Sequence, residues 1–473
     1  MPARPSLDDP VVTAASEVIG GPIGEHAAPH PWWTPVRVVL AVTVLAFALG
    51  MLQKTPCVAT NWQDGQLRYA AMCYSDVPYL YTGRGLAELH WPFGDSQGRY
   101  EAMEYPVVIG YFAYGVAALT QVLAGAPDVQ ARRALPADRV YSAPGVADES
   151  GLYFVVTAVL LGAVLLAASW FMAGAQRGRP WDAMLFAASP ALLAAGLINW
   201  DILVVAMVAG AFWAWGRGRK VLTGVLIGLG TATKLYPLFL LGAILVVCLR
   251  NRRMRDFVVV TASAVGAWLV VNAPVMLLDF ERWKVFWTFN AERAPDLGSL
   301  WLVWQQAGHA VSTQTMNLVS WLFFGAVCGA VLLLGLTAPR TPRVAQLGFL
   351  LVAGFLLVNK VYSPQYVLWL LPLAVLARPR WRDLLVWQAG ELLYFAAVWL
   401  YLGQFTASSV SGGPDKFYWY AIFIRVAAEL YLAVMVVRDI WRPWRDPVAD
   451  ELPVIRPHGA HAAHGAHGAH RVS

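Results

Sequence analysis

The run VRVVLAVTVLAFALGMLQ, residues 36–53, decides the fold class of this chain, because it contains a single charged residue, Arg37. An apolar stretch of about 18 residues or more is long enough to cross a bilayer as a helix. The whole chain of 473 residues has the same character, with 58% hydrophobic and 14% charged residues. Soluble domains carry about a quarter charged residues, so the composition predicts a membrane protein.

Further apolar runs of helical length follow the first one. They cover residues 105–125, 151–174, 183–198, 201–215, 221–234, 236–249, 257–278, 316–337, 344–358, 365–377, 384–403 and 417–437. These runs allow roughly a dozen spans joined by short loops. The sequence therefore predicts an all-α polytopic membrane protein.

Arginine clusters predict which loops face the cytoplasm. They occur near positions 177, 217, 252, 340, 380 and 442, at every second junction from residue 175 onward, and positive residues favour the cytoplasmic side. The loop at 126–150 is then external, as is the net acidic loop that contains Asp76. Both loops can be external only if the run 105–125 does not cross the membrane. We expect about 12 transmembrane helices and a re-entrant or membrane-surface helix within a long external segment, 54–150. An ordinary thirteenth span, with one terminus outside, is the alternative.

The two ends of the chain differ from this membrane domain, which we place at 35–438. Residues 1–34 are rich in Pro and Ala and lack the basic start and apolar core of a signal peptide, so we expect a disordered cytoplasmic tail. Residues 439–473 form a second cytoplasmic tail, in which His recurs every third residue among Gly and Ala. That pattern could bind Zn²⁺ or Ni²⁺ loosely, but its low complexity favours disorder.

The stretch CYSDVPYLY, residues 73–81, is the strongest candidate for chemistry. It places Asp76 among aromatic residues just outside the first span. Aromatic rings provide walls suited to sugars and lipid headgroups, and a carboxylate can serve as a general base. We predict that Asp76 is the catalytic base of a membrane glycosyltransferase, with Tyr79 and Tyr81 lining the cleft. The alternative is an acidic loop residue beside interfacial tyrosines.

Two cysteines, Cys57 and Cys73, share the loop that contains Asp76. If the loop is external, its oxidising surroundings favour a disulfide between them, with two unpaired thiols as the alternative.

Two further acidic motifs follow. Glu104 and Tyr105 open the half-inserted helix, where Glu104 could be a second acid or could favour the helix dipole. The segment Asn199-Trp200-Asp201 lies at the tip of a tight helical hairpin. It could contact the acceptor or a headgroup, or Asp201 could simply cap the next helix. A divalent metal ion bridging Asp76 and Asp201 is conceivable, although no clear metal site is evident.

Two lysines, Lys234 and Lys360, lie at the predicted outer ends of spans, and each is followed within four residues by Tyr and Pro. A lysine there could neutralise a polyprenyl phosphate. The alternative is that both side chains extend to lipid headgroups. Glu292, Arg293 and His309 are weaker candidates for phosphate contact.

Several other functions are disfavoured. The chain has no P-loop, Gly-rich dinucleotide turn, HExxH or nucleophile elbow, which argues against an ATP-driven pump and common hydrolases. Its net charge of +6 comes from short loops, so no nucleic-acid partner is expected. A lipid-carrier or solute transporter, or a flippase, is the competing class. Such a protein needs polar residues spread through the centres of its spans and often has internal repeats.

Taken in order, these motifs resemble the GT-C superfamily of polyprenyl-phosphate-sugar-dependent glycosyltransferases. The closest resemblance is to the actinobacterial family 87 type, found alongside mannosyltransferases. It covers most of residues 36–438. The motifs are Asp76, Tyr105-Pro106, Asn199-Trp200-Asp201, GVLIGL at 224–229 running to Thr233-Lys234-Leu235-Tyr236-Pro237, and Lys360-Val361-Tyr362-Ser363-Pro364-Gln365-Tyr366.

The resemblance implies inverting transfer of a hexose, with mannose the expected sugar, from a polyprenyl-phosphate sugar, usually without a nucleotide sugar. It implies that Asp76 activates the acceptor and that Lys234 and Lys360 contact phosphate. The expected partners are membrane lipids, the lipid-linked donor and a glycolipid or glycan acceptor. The expected location is the inner (plasma) membrane, with the active face external and both termini cytoplasmic.

Overall fold

The computed structural model describes residues 32–94, 98–406 and 413–448. Most of both predicted tails, 1–31 and 449–473, therefore lies outside the described residues. Within the described ranges the chain is helical and contains no strand. This arrangement confirms the predicted all-α polytopic fold class.

The helices follow the apolar runs of the sequence. They are α1 Pro35–Ala59, α2 Leu67–Ala70, α3 Asp76–Gly83, α4 Val107–Leu123, α5 Val129–Arg133, α6 Val146–Ala175, α7 Met184–Ala187, α8 Pro190–Ala195, α9 Ile202–Gly216, α10 Lys220–Thr231, α11 Phe239–Arg250, α12 Met254–Leu278, α13 Phe280–Glu292, α14 Leu300–Gln306, α15 Thr313–Thr337, α16 Val344–Val358, α17 Val367–Ala377, α18 Trp381–Leu402 and α19 Lys416–Trp441. Short 3₁₀ turns join several of them, including Tyr236–Leu238 before α11 and Pro364–Tyr366 before α17.

Six of these helices, α1, α6, α12, α15, α18 and α19, are long and apolar enough to cross a membrane. Shorter apolar helices account for most of the other runs, among them α4, α9, α10 and α16. At 1.5 Å per residue α4 is about 26 Å long, slightly less than the thickness of a hydrocarbon core. Whether α4 crosses the bilayer, and which loops face outward, stay predictions.

The run at 183–198 differs from the single helix that the sequence predicts. It contains the two short helices α7 and α8, separated at Ser189-Pro190. A residue before proline is pushed out of the helical region, and Ser189 has φ −69° and ψ 121°. Its hydroxyl caps α8 by accepting from the Leu192 amide at 3.2 Å. The break lets the chain turn at 196–201, which supplies part of the site.

Close contact between α10 and α12 fixes the position of the loop that carries Lys234. A Cβ added to Gly224 would lie 2.2 Å from the carbonyl oxygen of Val260, and one added to Gly228 would lie 2.1 Å from that of Ala264. Only glycine permits this separation of the two backbones. The end of α10 is therefore held against the bundle core.

A charged network ties α18 and α19 to two loops beside the site. Arg425 pairs with Glu429 at 3.1 Å, one turn along α19, and its guanidinium lies 3.6 Å from the centre of the Tyr362 ring. The Arg425 guanidinium also donates to the carbonyl of Gly298 at 3.3 Å. These residues are buried, so the network serves structure and holds the 296–299 and 359–363 segments together.

Candidate active site

The loop between α1 and α3 positions Asp76. Ser75 caps α3 by accepting from the Val77 amide at 3.3 Å. The backbone amide of Asp76 donates to the carbonyl of Ile198 at 2.7 Å, and the Ser75 hydroxyl donates to the same carbonyl at 3.1 Å. These bonds join the first loop to the turn that follows α8. Asp76 and the 199–201 segment are therefore brought to one place.

A disulfide braces this loop. Cys57, near the end of α1, is bonded to Cys73, with their Cα atoms 5.8 Å apart. The side chain of Gln53 donates to the carbonyl of Met72. The covalent link and the hydrogen bond hold the backbone just before Asp76 against α1.

Lys54 also holds this loop in place, a role that was not predicted from the sequence. Its side chain is fully buried in α1, and its ammonium group donates to the carbonyl of Tyr74 at 2.9 Å. It also lies within electrostatic range of Asp76. The available signal was a lysine between two polar neighbours at the end of an apolar run, a position where side chains usually extend to headgroups.

Asp76 itself is half-buried and lies between two tyrosines. The Tyr105 hydroxyl donates to Asp76 Oδ2 at 3.4 Å, and the Tyr74 hydroxyl also interacts with this carboxylate. Burial raises the pKa of Asp76 to about 6, against the lowering effects of the Tyr74 hydrogen bond and the Lys234 charge. Burial also raises the pKa of Tyr105, so this hydroxyl acts as a donor. A carboxyl group with that pKa is a competent general base near neutral pH.

An ion pair stands beside Asp76. Lys234 Nζ lies 3.1 Å from Asp201 Oδ1, and Trp369 Nε1 donates to Asp201 Oδ2 at 3.1 Å. Asp201 occupies the N-cap position of α9, but its side chain makes no capping hydrogen bond. Asn199 Oδ1 instead accepts from the Asp201 amide at 2.9 Å. The predicted capping role of Asp201 is therefore replaced by pairing with Lys234.

Aromatic side chains enclose the ion pair. Lys234 Nζ lies 4.6 Å from the centre of the Tyr105 ring, and Tyr105 meets Trp200 edge to face at 5.6 Å. Trp369 is stacked between Tyr236 and Tyr366, at centroid distances of 4.9 and 4.0 Å. Trp369 was not predicted, because it lies in an apolar run where aromatic residues usually serve the core. Tyr366 was part of the motif at 360–366, but no role was predicted for it.

Four buried polar atoms around these rings have no hydrogen-bond partner in the described part of the chain: Asn199 Nδ2, Trp200 Nε1, Tyr236 Oη and Gln365 Oε1. Buried polar groups are normally hydrogen-bonded. These donors and acceptors therefore suit a polar ligand such as a sugar.

The second predicted lysine, Lys360, lies near Arg293. Its ammonium group donates to the carbonyl of Ala291 at 3.0 Å. Burial lowers the pKa of Lys360, and the neighbouring Arg293 lowers it further. Tyr366 lies within electrostatic range of Arg293, which neighbours Lys360, and of Asp201, which pairs with Lys234.

Three residues predicted to take part in the site make other contacts in the structure: Tyr81, Tyr362 and Glu104. Tyr81 is fully buried, stacks on Tyr153 at 4.6 Å and donates to Glu149. Tyr362 is also fully buried, and its hydroxyl donates to Glu391 at 3.0 Å. Neither tyrosine lines the cleft, because each side chain points into the bundle.

Glu104 also differs, because it lies outside the first turn of α4 and pairs with Arg84 at 2.7 Å instead of favouring the helix dipole. Tyr79 is half-buried, and its hydroxyl donates to the Trp62 carbonyl at 3.2 Å.

The geometry gives limited support to a metal ion that bridges Asp76 and Asp201. Across 32–94, 98–406 and 413–448, no group of three or more His, Cys, Asp or Glu side chains could hold a metal ion. Both carboxylate oxygens of Asp201 already face protein partners, Lys234 and Trp369. A metal bridge from Asp76 to Asp201 would have to displace Lys234.

Comparison with known proteins gives one positive result. The family model of glycosyltransferase family 87 matches residues 143–364. The match includes Asn199-Trp200-Asp201, Lys234 and Lys360, and it begins after Asp76. The comparison with curated proteins found no match. The predicted resemblance to family 87 is confirmed, and the match supports a membrane glycosyltransferase.

Proposed function

We propose, from the family 87 match, that this protein transfers a hexose, which we take to be mannose, from a polyprenyl-phosphate donor to a hydroxyl group of an envelope glycolipid or glycan. The observation that carries the proposal is that only two of three neighbouring carboxylates are paired with a cation. Glu104 pairs with Arg84 at 2.7 Å and Asp201 with Lys234 at 3.1 Å, whereas Asp76 has no cation within 4.0 Å among the described residues. Asp76 is therefore the carboxylate available to accept a proton.

The proposed step is a single displacement. The acceptor oxygen attacks the anomeric carbon of the donor sugar, and its proton passes to Asp76. The bond between the anomeric carbon and the phosphate oxygen breaks, and the electron pair leaves with polyprenyl phosphate. Attack opposite the leaving group inverts the anomeric configuration. Tyr105, which donates to Asp76 at 3.4 Å, orients the carboxylate for this transfer.

The leaving phosphate needs positive charge near it. Lys360 lies near Arg293, and both Arg293 and Asp201, the partner of Lys234, lie within electrostatic range of Tyr366. Placing an anion between these cations favours the product lipid and stabilises charge that develops in the transition state. We assign Lys360 to the phosphate. Lys234, already paired with Asp201, contributes charge at longer range.

The proposed location is the outer face of the inner membrane, with both termini in the cytoplasm. Two observations support this side. The Cys57–Cys73 disulfide suits an oxidising compartment, and the arginine clusters lie in loops away from Asp76.

The test is sugar transfer by the purified full-length protein in lipid nanodiscs. The donor is radiolabelled polyprenyl-phosphate mannose, the acceptors are envelope lipids, and wild type is compared with Asp76→Asn. We expect transfer by the wild type and its loss in the folded variant, because the amide cannot accept the proton. Glu104→Gln is the matched control, since Glu104 is already neutralised by Arg84.

Two results would contradict the proposal. Equal transfer by wild type and Asp76→Asn would remove Asp76 as the base and direct attention to Asp201. Absence of transfer with mannose and with other polyprenyl-phosphate sugars, together with movement of the lipid across the bilayer, would favour the transporter or flippase class.

A further inference from the structure

A set of aromatic rings extends from the segment beside Asp76 to α2 and α18. We call it the aromatic wall: Tyr69, Tyr74, Tyr79 and Trp399. Tyr74 lies between Tyr69 and Tyr79, with centroid distances of 6.1 and 5.6 Å and interplanar angles of 13° and 19°. Trp399, from α18, lies 5.1 Å from Tyr74 and 6.2 Å from Tyr69. The three tyrosines are half-buried, so their rings are partly accessible.

Arg68 adds a hydrogen-bonding group to the aromatic wall. Its guanidinium carbon lies 4.8 Å from the centre of the Tyr69 ring, 5.0 Å from Tyr79 and 6.0 Å from Tyr74. Its guanidinium interacts with the Tyr79 side chain, while its Nε atom is buried and has no hydrogen-bond partner within the described ranges. A guanidinium carries several N–H donors in a fixed plane. Arg68 can therefore donate to a hydroxyl group of a ligand that lies against the rings.

The aromatic wall is held in place without a ligand. The Cys57–Cys73 disulfide and the Lys54 bond to the Tyr74 carbonyl fix the loop that carries Tyr74. Tyr79 is fixed through its bond to the Trp62 carbonyl at 3.2 Å. A preorganised surface loses less conformational entropy on binding than a mobile one. This rigidity favours a binding role for the rings.

We propose that the aromatic wall and Arg68 bind a pyranose ring of the acceptor. This inference rests on the proposed function and assigns these rings to the acceptor sugar, as distinct from the donor sugar. The C–H faces of a pyranose pack on aromatic rings while its hydroxyls meet Arg68. Tyr74 belongs to the aromatic wall and also contacts Asp76. A sugar bound there thus presents a hydroxyl group to the base.

The first experiment separates the two substrates. Tyr69→Ala removes a ring, Tyr69→Phe keeps it, and Tyr420→Ala removes an exposed ring of α19 that is 64% accessible and outside the site. In nanodiscs we expect Tyr69→Ala to raise KM for the acceptor about tenfold and to leave KM for the donor within about twofold of wild type. Tyr420→Ala should match wild type, and Tyr69→Phe, which keeps the ring, should raise KM for the acceptor less than Tyr69→Ala does.

The second experiment does not depend on transfer. Binding of methyl α-mannoside and methyl α-glucoside to the Asp76→Asn protein is followed by saturation-transfer NMR, with and without Tyr69→Ala. We expect binding that requires Tyr69 even if no glycosyl transfer is ever detected, which separates this inference from the proposed function.

Three results would overturn the inference. A rise in the donor KM alone would place the donor sugar on the aromatic wall. Unchanged KM values for both substrates with a lower kcat would make the rings structural. Glycoside binding abolished by inorganic phosphate but unaffected by Tyr69→Ala would indicate an anion site at Arg68.

Discussion

The buried pair Lys234–Asp201 allows the most quantitative prediction. Asp201 is fully buried, Lys234 is 8% exposed, and the two charges are 3.1 Å apart. At an effective dielectric constant of about 20, the Coulomb attraction at that distance is about 5 kcal/mol. Removing one partner of a buried pair typically costs about 3–5 kcal/mol, because the other charge is left uncompensated. We therefore expect Lys234→Met to lower the free energy of unfolding by about 3 kcal/mol.

A double-mutant cycle isolates this interaction. The variants are Lys234→Met, Asp201→Asn and the double variant, and each free energy of unfolding is measured by reversible unfolding in mixed SDS micelles. We expect a coupling free energy of about 3 kcal/mol, so the double variant should be destabilised by about 3 kcal/mol less than the sum of the two single effects.

The exposed pair Lys284–Glu281 provides a control for that cycle. Its N···O distance is 2.5 Å, but its side chains are 40% and 75% exposed, and exposed pairs contribute about 0–1 kcal/mol. The same cycle with Lys284→Met and Glu281→Gln should give a coupling below about 1 kcal/mol. Equal coupling in the two cycles would refute the assignment of Lys234–Asp201 as a buried ion pair.

Lys234→Met should also affect Asp76, the proposed base. The Lys234 charge lowers the pKa of Asp76, so Lys234→Met should raise it. Because the ionised form is the base, the acidic limb of the pH–rate profile should move to higher pH. A limb that stays in place would show that Lys234 and Asp76 do not interact.

Three further predictions follow from the contacts around Asp76. Because burial raises the pKa of Asp76 to about 6, transfer should fall about tenfold per pH unit below that value, measured as kcat/KM for the acceptor. Replacing Cys57 and Cys73 by Ser should cost about 2–4 kcal/mol of unfolding free energy, as expected for a cross-link with a sequence separation of 16; Cys328→Ser, at an unpaired cysteine, is the control. Lys54→Met removes a positive charge and the bond to the Tyr74 carbonyl. The transfer rate at neutral pH should therefore drop, and the acidic limb of the pH–rate profile should move to higher pH. An unchanged profile would limit Lys54 to a structural role.

The helices were largely predictable because span length and apolar composition depend on local sequence. The first run, 36–53, became α1, and the run at 344–358 became α16 with the same bounds. The exception at 183–198 was also local in origin. Ser189-Pro190 contained the signal for a break, since a residue before proline leaves the helical region.

The error at Tyr81 came from treating 73–81 as a loop. The segment begins α3 at Asp76, and at 100° per residue Tyr81 lies about 140° around the helix from Asp76, whereas Tyr79 lies about 60° away. Ser75 followed by Asp76 and Pro78 was a helix-start signal. Reading that signal would have placed Tyr81 on the inner face.

The contacts of Lys54 and Trp369 could not be predicted in the same way. Trp369 lies inside the apolar segment VLWLLPLAV, residues 367–375, and its pairing with Asp201 depends on how α17 lies against α9. The hydrogen bond of Lys54 depends on the fold of a loop that returns to α1 twenty residues later. Local periodicity identifies buried faces, but it does not say which polar group meets which partner across the bundle.

The arrangement of charge explains why Asp76 suits the role of base better than either neighbouring carboxylate. A cation in direct contact would lower the pKa of Asp76 and weaken it as a proton acceptor. Isolation in the bundle would raise the pKa until the carboxyl stayed protonated at neutral pH. Here two hydroxyl groups contact Asp76, and Lys234 acts from beyond ion-pair distance, which leaves the pKa near 6. The pairing of Asp201 with Lys234 is therefore also a means of tuning Asp76, because it keeps the ammonium group close without letting it bind the base.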